Sequence, residues 1–157
     1  MGLRNIVKEG DETLRKRSRE VTVFDRRLSD LLNDMTETLK SADGIGLAAP
    51  QVGVLKRVVV IIYDGNVLEL VNPEIIDHSG EQQDIEGCLS IPGVYGITKR
   101  PMTVKVRARD RHGKVRRYTG SGLLARAFCH EIDHLDGILF TDSLVRYLTE
   151  EELEGDK

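Results

Sequence analysis

From Arg57 to Thr119 the chain carries one strand or turn signal after another without a helical interruption, and an amphipathic helical segment stands on either side of that stretch. Parallel strands need a crossover between them, usually a helix. With none available, a doubly wound sheet is excluded and the fold class is α+β: antiparallel or mixed β-sheets packed around the late helix, with another helix near the N-terminus. Arg57 to Tyr63 reads as a buried strand, and Asp64-Gly65-Asn66 as a hairpin turn into Val67–Val71. Strand-like pieces recur at Glu74–His78, Tyr95–Thr98, Met102–Arg109 and Lys114–Thr119. In the third of these Val104, Val106 and Ala108 fall on one face, and Lys105, Arg107 and Arg109 on the other.

The first helix is expected from Asp25 to Ser41, where Leu28, Leu31, Leu32, Met35 and Leu39 recur at helical spacing. Asp25 is its N-cap and Asp43-Gly44 its stop. The second is expected from a cap at Ser121 through Leu135, stopped by Asp136-Gly137. At 157 residues the chain fits one domain, 1–157, with 143–157 as a short acidic C-terminal tail. Its 23 basic and 26 acidic side chains leave a net charge of −3, so no direct nucleic-acid function is expected. No stretch approaches the about 20 apolar residues that span a bilayer. Met1 to Arg19 is broken up by charge and lacks the apolar core of a signal peptide, so the expected address is the cytoplasm, without a membrane. In that reducing compartment a Cys88–Cys129 disulfide is disfavoured.

The sharpest chemical signal is His130-Glu131-Ile132-Asp133-His134, a match to H-E-x-x-H. On a helix, residues four apart share a face, so both imidazoles can reach one cation while Glu131 projects beside them. Leu123 and Ala127 on the same face offer an apolar approach; Leu124, Phe128 and Leu135 form a neighbouring stripe that feeds the core. His78 and His112 are expected to be solvated. A catalytic site needs a third protein ligand and an open fourth position. Phe140 stands where a metzincin protease would place its last histidine, and the Glu150–Glu154 cluster lies in the acidic tail. Both leave a small zinc endopeptidase as the weaker alternative. Cys88, in Glu86-Gly87-Cys88-Leu89-Ser90, is the stronger third ligand, an inert buried thiol being its alternative. A non-catalytic metal-binding module, with Glu131 only supporting the ligands, is the alternative outside enzymes.

Gly44-Ile45-Gly46-Leu47-Ala48-Ala49-Pro50-Gln51 formally fits a dinucleotide fingerprint. It follows a helix and meets Pro50, whereas that fingerprint follows a strand and opens a helix. It reads instead as a loop that lets a ligand backbone come close. Gln51 is then either a donor to a developing oxyanion or a surface amide on a tight connector.

Together, the glycine loop ending at Gln51, Glu86-Gly87-Cys88-Leu89-Ser90 and His130 to Gly137 resemble the motifs of the peptide deformylase family in order and separation. The resemblance implies that Cys88, His130 and His134 bind one divalent metal ion, Fe(2+) in this family, with Zn(2+), Ni(2+) or Co(2+) as substitutes. It also implies that Glu131 is the general base and acid, and that Gln51 and the backbone N–H of Leu89 polarise a formyl oxygen. The substrates implied are N-formyl-methionyl nascent polypeptides, which lose formate. They would lie extended beside Gly44, Ile45 and Gly46, with the methionine in a pocket of Ile45, Leu89 and Leu123. Two positions depart from the family pattern. Cys129 stands where glutamine is frequent, and Arg126 stands where an apolar pocket residue could be, favouring an acidic or polar group beyond the methionine. Transient ribosome association is left open, although the acidic tail argues against docking through a basic terminal helix.

Overall fold

The run Val58–Val60 is apolar without alternation because both faces of its strand are covered. In the computed structural model, which describes residues 2–155, this strand is β2 (Val58–Tyr63). Val59 and Ile61 point to one layer, Val58 and Val60 to the opposite one. The second layer is helix α1 (Arg26–Ala42), which lays Leu28, Leu31, Leu32, Met35 and Leu39 on the sheet. Asp25 caps it as expected, its carboxylate accepting from the Leu28 N–H at 3.2 Å. The first layer is helix α2 (Leu123–Leu135), which brings Ala125, Phe128, Cys129, Ile132 and Leu135 to the other face.

The sheet between them has five strands in the order β1-β2-β3-β6-β7: β1 (Gly46–Ala48), β2, β3 (Asn66–Ser79), β6 (Thr103–Arg109) and β7 (Val115–Ser121). A second sheet has the order β4-β5-β8, from β4 (Gln82–Cys88), β5 (Ile91–Arg100) and β8 (Leu144–Tyr147). Every pairing between these strands is antiparallel. The fold is α+β, with the late helix enclosed by strands.

Several boundaries differ from expectation. Val67–Val71 and Glu74–His78 are parts of one long β3, whose register shifts between Val71 and Glu74. Asn72 sits there at φ 51°, and its amide ties both backbone groups of Val21. Ser121 does not cap α2. It ends β7 with its hydroxyl 2.9 Å from that of Thr103, and Gly122 starts the helix with no side-chain cap. The expected tail contains β8, paired with β5, and a short helix α3 (Glu150–Gly155). Asp156 and Lys157 of that tail, and Met1 of the expected domain, lie outside the described residues. No helix among the described residues is long and apolar enough to cross a membrane.

Candidate metal centre and active site

His130 and His134 stand one turn apart on α2, and Cys88 ends β4 of the other sheet. Their ligand atoms all lie within 4.8 Å of one another. Cys88 Sγ is 3.3 Å from His134 Nε2. Both cysteines are free thiols, and Cys129 is buried on the sheet-facing side of α2, where burial pushes it up to about 11. His78 and His112 are exposed, away from the cluster. A thiol and two imidazoles converging from a buried helix face and a strand end are a donor set suited to a borderline-soft divalent ion.

The histidine ring is held from behind. His130 Nδ1 meets Glu86 Oε2 at 2.7 Å, which leaves Nε2 on the open side. Glu86 is itself enclosed: it accepts from Thr98 Oγ1 at 2.7 Å, Arg100 Nη2 at 2.6 Å and Arg126 Nη1 at 2.8 Å. Although burial opposes ionisation, His130 and Arg100 hold Glu86 well below the usual carboxylate range. Arg100 also reaches Asp133 on α2 at 2.7 Å, so these ion pairs stitch the second sheet to the ligand helix. Against the cost of burial, Glu131, Cys88 and Glu86 together hold His130 well above its ordinary value. Burial, and then the neighbouring His130, keep His134 well below.

Glu131 is 4% exposed and Oε1 has no hydrogen-bond partner, so the carboxyl is aimed at the site with acceptor capacity unused. Burial pushes it up to about 7, against the pull of His130. It fits only because residue 46 is glycine: a Cβ there would come 2.6 Å from Glu131 Oε2. Gln51, in the turn Ala49–Val52, is buried and not a surface amide. Its Oε1 accepts from the Ala48 N–H at 2.9 Å, and its Nε2 turns toward Ser90 and Cys88.

These groups open on a pocket of about 440 Å³. Gly44, Ile45, Gly46, Leu89, Leu123 and Arg126 all line it, as do Gln51, Cys88, His130 and Glu131. Leu123 is 50% exposed at the rim, whereas Arg126 is 4% exposed with its guanidinium turned onto Glu86 and Thr98. The expectation that Arg126 favours an acidic group beyond the methionine therefore has a competing carboxylate to reckon with.

The family model for polypeptide deformylases matches residues 3–149. The chain belongs to the polypeptide deformylase family. A peptide deformylase of Acetivibrio thermocellus is 58% identical over 98% of this chain and 91% of its own length. Peptide deformylase 1 of Bacillus subtilis is 50% identical over 98% and 97%. Among solved structures, the peptide deformylase of Legionella pneumophila superposes with a TM-score of 0.88 at 44% identity, covering 98% of this chain and 90% of that one. The peptide deformylase of Synechococcus elongatus in complex with actinonin gives 0.87 at 42%, covering 96% and 82%.

Within this deformylase fold, sequence reasoning missed Glu86, Thr98, Arg100 and Ser90 as parts of the site. Glu86 and Ser90 flank Cys88 inside the quoted motif, and that adjacency was the available signal. Ile85 and Tyr95, which line the pocket from β4 and β5, carried none.

Proposed function

We propose that the chain removes the formyl group from N-formyl-methionyl peptides and releases formate. The observation that carries this reading is the convergence of Cys88, His130 and His134 with the buried Glu131 at one pocket. Cys88, His130 and His134 would hold the divalent cation. When bound, it supplies Lewis acidity, making water acidic enough to attack at neutral pH. Glu131 would accept a proton from the water whose oxygen bonds to the formyl carbon, as its unpartnered Oε1 and raised carboxyl suit it to do, and return it to the methionine nitrogen as the C–N bond breaks and formate leaves. The Gln51 amide and the Leu89 N–H donate to the formyl oxygen as negative charge develops there; removing one such donor typically costs about 10²–10³ in rate. Glu86 keeps the His130 ring oriented throughout. Ile45, Leu89 and Leu123 receive the methionine side chain, while Gly44 to Gly46 keep the loop slim enough for an extended peptide.

The finer parts of the reading rest on the family and on donor chemistry. Fe(2+) is the working ion and Zn(2+), Ni(2+) or Co(2+) its substitutes, since a thiolate with two imidazoles accepts each of them. Nascent chains in the cytoplasm are the substrates. Formate release from formyl-Met-Ala, with and without chelator, is the test. Fast, chelator-sensitive release is expected, with activity lost in air and kept anaerobically if iron serves. Glu131→Ala should keep stoichiometric metal and lose at least about 100-fold in hydrolysis. Metal retained together with full hydrolysis would remove Glu131 from the chemistry. An endopeptidase would instead cleave unformylated internal peptides, and a binding module would release no formate.

A further inference from the structure

Gln51 is the side-chain donor on which the proposed reaction leans, and a carboxamide can face two ways. Turned end for end, it would offer an acceptor where a donor is needed. The Ala48 backbone N–H can only donate, so the Gln51 branch it meets at 2.9 Å is Oε1, and Nε2 takes the other branch. There Nε2 lies 3.1 Å from Ser90 Oγ and 3.6 Å from Cys88 Sγ. Ser90 is fully buried, and its oxygen is the nearer and stronger acceptor of the two. One amide hydrogen is therefore held by Ser90. The other points to the Cys88 side, where its only partner is the weakly accepting sulfur, and is the hydrogen left for a carbonyl oxygen in the pocket. The backbones that carry these two side chains are tied to one N-terminal run. The Val7 N–H donates to the Gln51 carbonyl at 2.7 Å, and the Glu9 N–H donates to the Ser90 carbonyl at 2.8 Å.

We propose that Ser90 is a positioning residue for deformylation: in the orientation that the Ala48 N–H selects, its hydroxyl oxygen accepts from Gln51 Nε2 and holds that nitrogen in place toward the formyl oxygen. The inference rests on the deformylase reading of Gln51 and adds the residue that steadies its nitrogen. The contact brings together the first motif, ending at Gln51, and the second, ending at Ser90, so it also fixes the spacing between the Gln51 and Leu89 donors.

Ser90→Ala removes a single oxygen from the metal-loaded full chain. It should lower kcat about tenfold and leave KM within about twofold, because the lost interaction belongs to the transition state. Added to Gln51→Ala, the same change should cost less than about twofold, since its partner is already gone. In the metal-free chain, the Gln51 side-chain NH2 signals in nitrogen-15 NMR should move toward those of a free amide in Ser90→Ala. Ser90→Gly should reproduce both effects, and thermal melts with circular dichroism of each variant show whether a loss of folding accounts for them. A tenfold loss that persists in the Gln51→Ala background, or Gln51 signals that do not move, would overturn the proposal. A wild-type chain that releases no formate from formyl-Met-Ala would sink the deformylase reading itself, and the NMR signals would still decide whether Ser90 holds Gln51.

Discussion

Glu86 is the residue whose loss the site can least absorb. One carboxylate satisfies a histidine, two guanidiniums and a threonine hydroxyl, and it is almost entirely buried. Replacing it by glutamine keeps the shape and removes the charge, leaving Arg100 and Arg126 as buried cations with an amide between them. Breaking a buried pair in this way costs about 3 kcal/mol or more. Glu86→Gln should therefore shift the urea midpoint strongly. It should also weaken metal binding by about 10- to 100-fold in competition with a chelator, because His130 loses the anchor on its Nδ1. Retained affinity would mean that helix α2 alone orients the ring. Cys88→Ser is the complementary change: it leaves the Glu86 cluster whole, and metal occupancy should fall without a comparable loss of stability.

At the scale of elements, β1 and α2 meet where Glu131 lies over Gly46. Gly46→Ala should displace the carboxyl, since the new methyl would sit within about van der Waals exclusion of Cγ and both contacts cannot persist. Hydrolysis should drop by at least about tenfold while metal stays bound, measured as formate release beside metal content. Wild-type rates would show that the glutamate can shift without penalty. The same elements show what periodicity could and could not disclose. Helix α1 was readable because Leu28 to Leu39 repeat at one spacing and Asp25 caps them locally. The hairpin of β2 and β3 was readable because Asp64 and Gly65 both take positive φ, as an Asp-Gly turn requires. Strand β4 was not, for Gln82-Gln83-Asp84-Ile85-Glu86-Gly87-Cys88 has a charged residue at its buried position, and Glu86 is tolerated there only through arginines from β5 and α2. Metal ligands announce themselves by spacing along one helix. Of the groups that orient them, Glu86 is marked only by lying two residues from Cys88, and nothing local marks Thr98 or Arg100.

For the molecule as a whole, the N-terminal run is fastened at both ends: to α1 by Asp34, which accepts from the Gly2 N–H at 2.8 Å and pairs with Arg4 at 2.9 Å, and to the site through Val7 and Glu9. The Gly2 N–H first, then Arg4, hold Asp34 below the usual carboxylate range although burial opposes them. A carboxyl with a depressed pKa in the folded state adds stability above its unfolded value near about 4, and that contribution fades as the pH falls further. Asp34→Asn should thus melt earlier than the wild type at pH 7, with the gap narrowing below about pH 4. A gap independent of pH in thermal melts would show that its charge does not matter. The ion pairs that join β5 to α2 have a wider consequence. Cys88 rides on a strand paired along its length, and His130 is bolted to Glu86, so two of the three donors are held by the fold itself. Such a chain is a socket and not a clasp. Its ion should be extractable and exchangeable for another without melting the secondary structure around it, unlike small zinc domains that come apart when stripped.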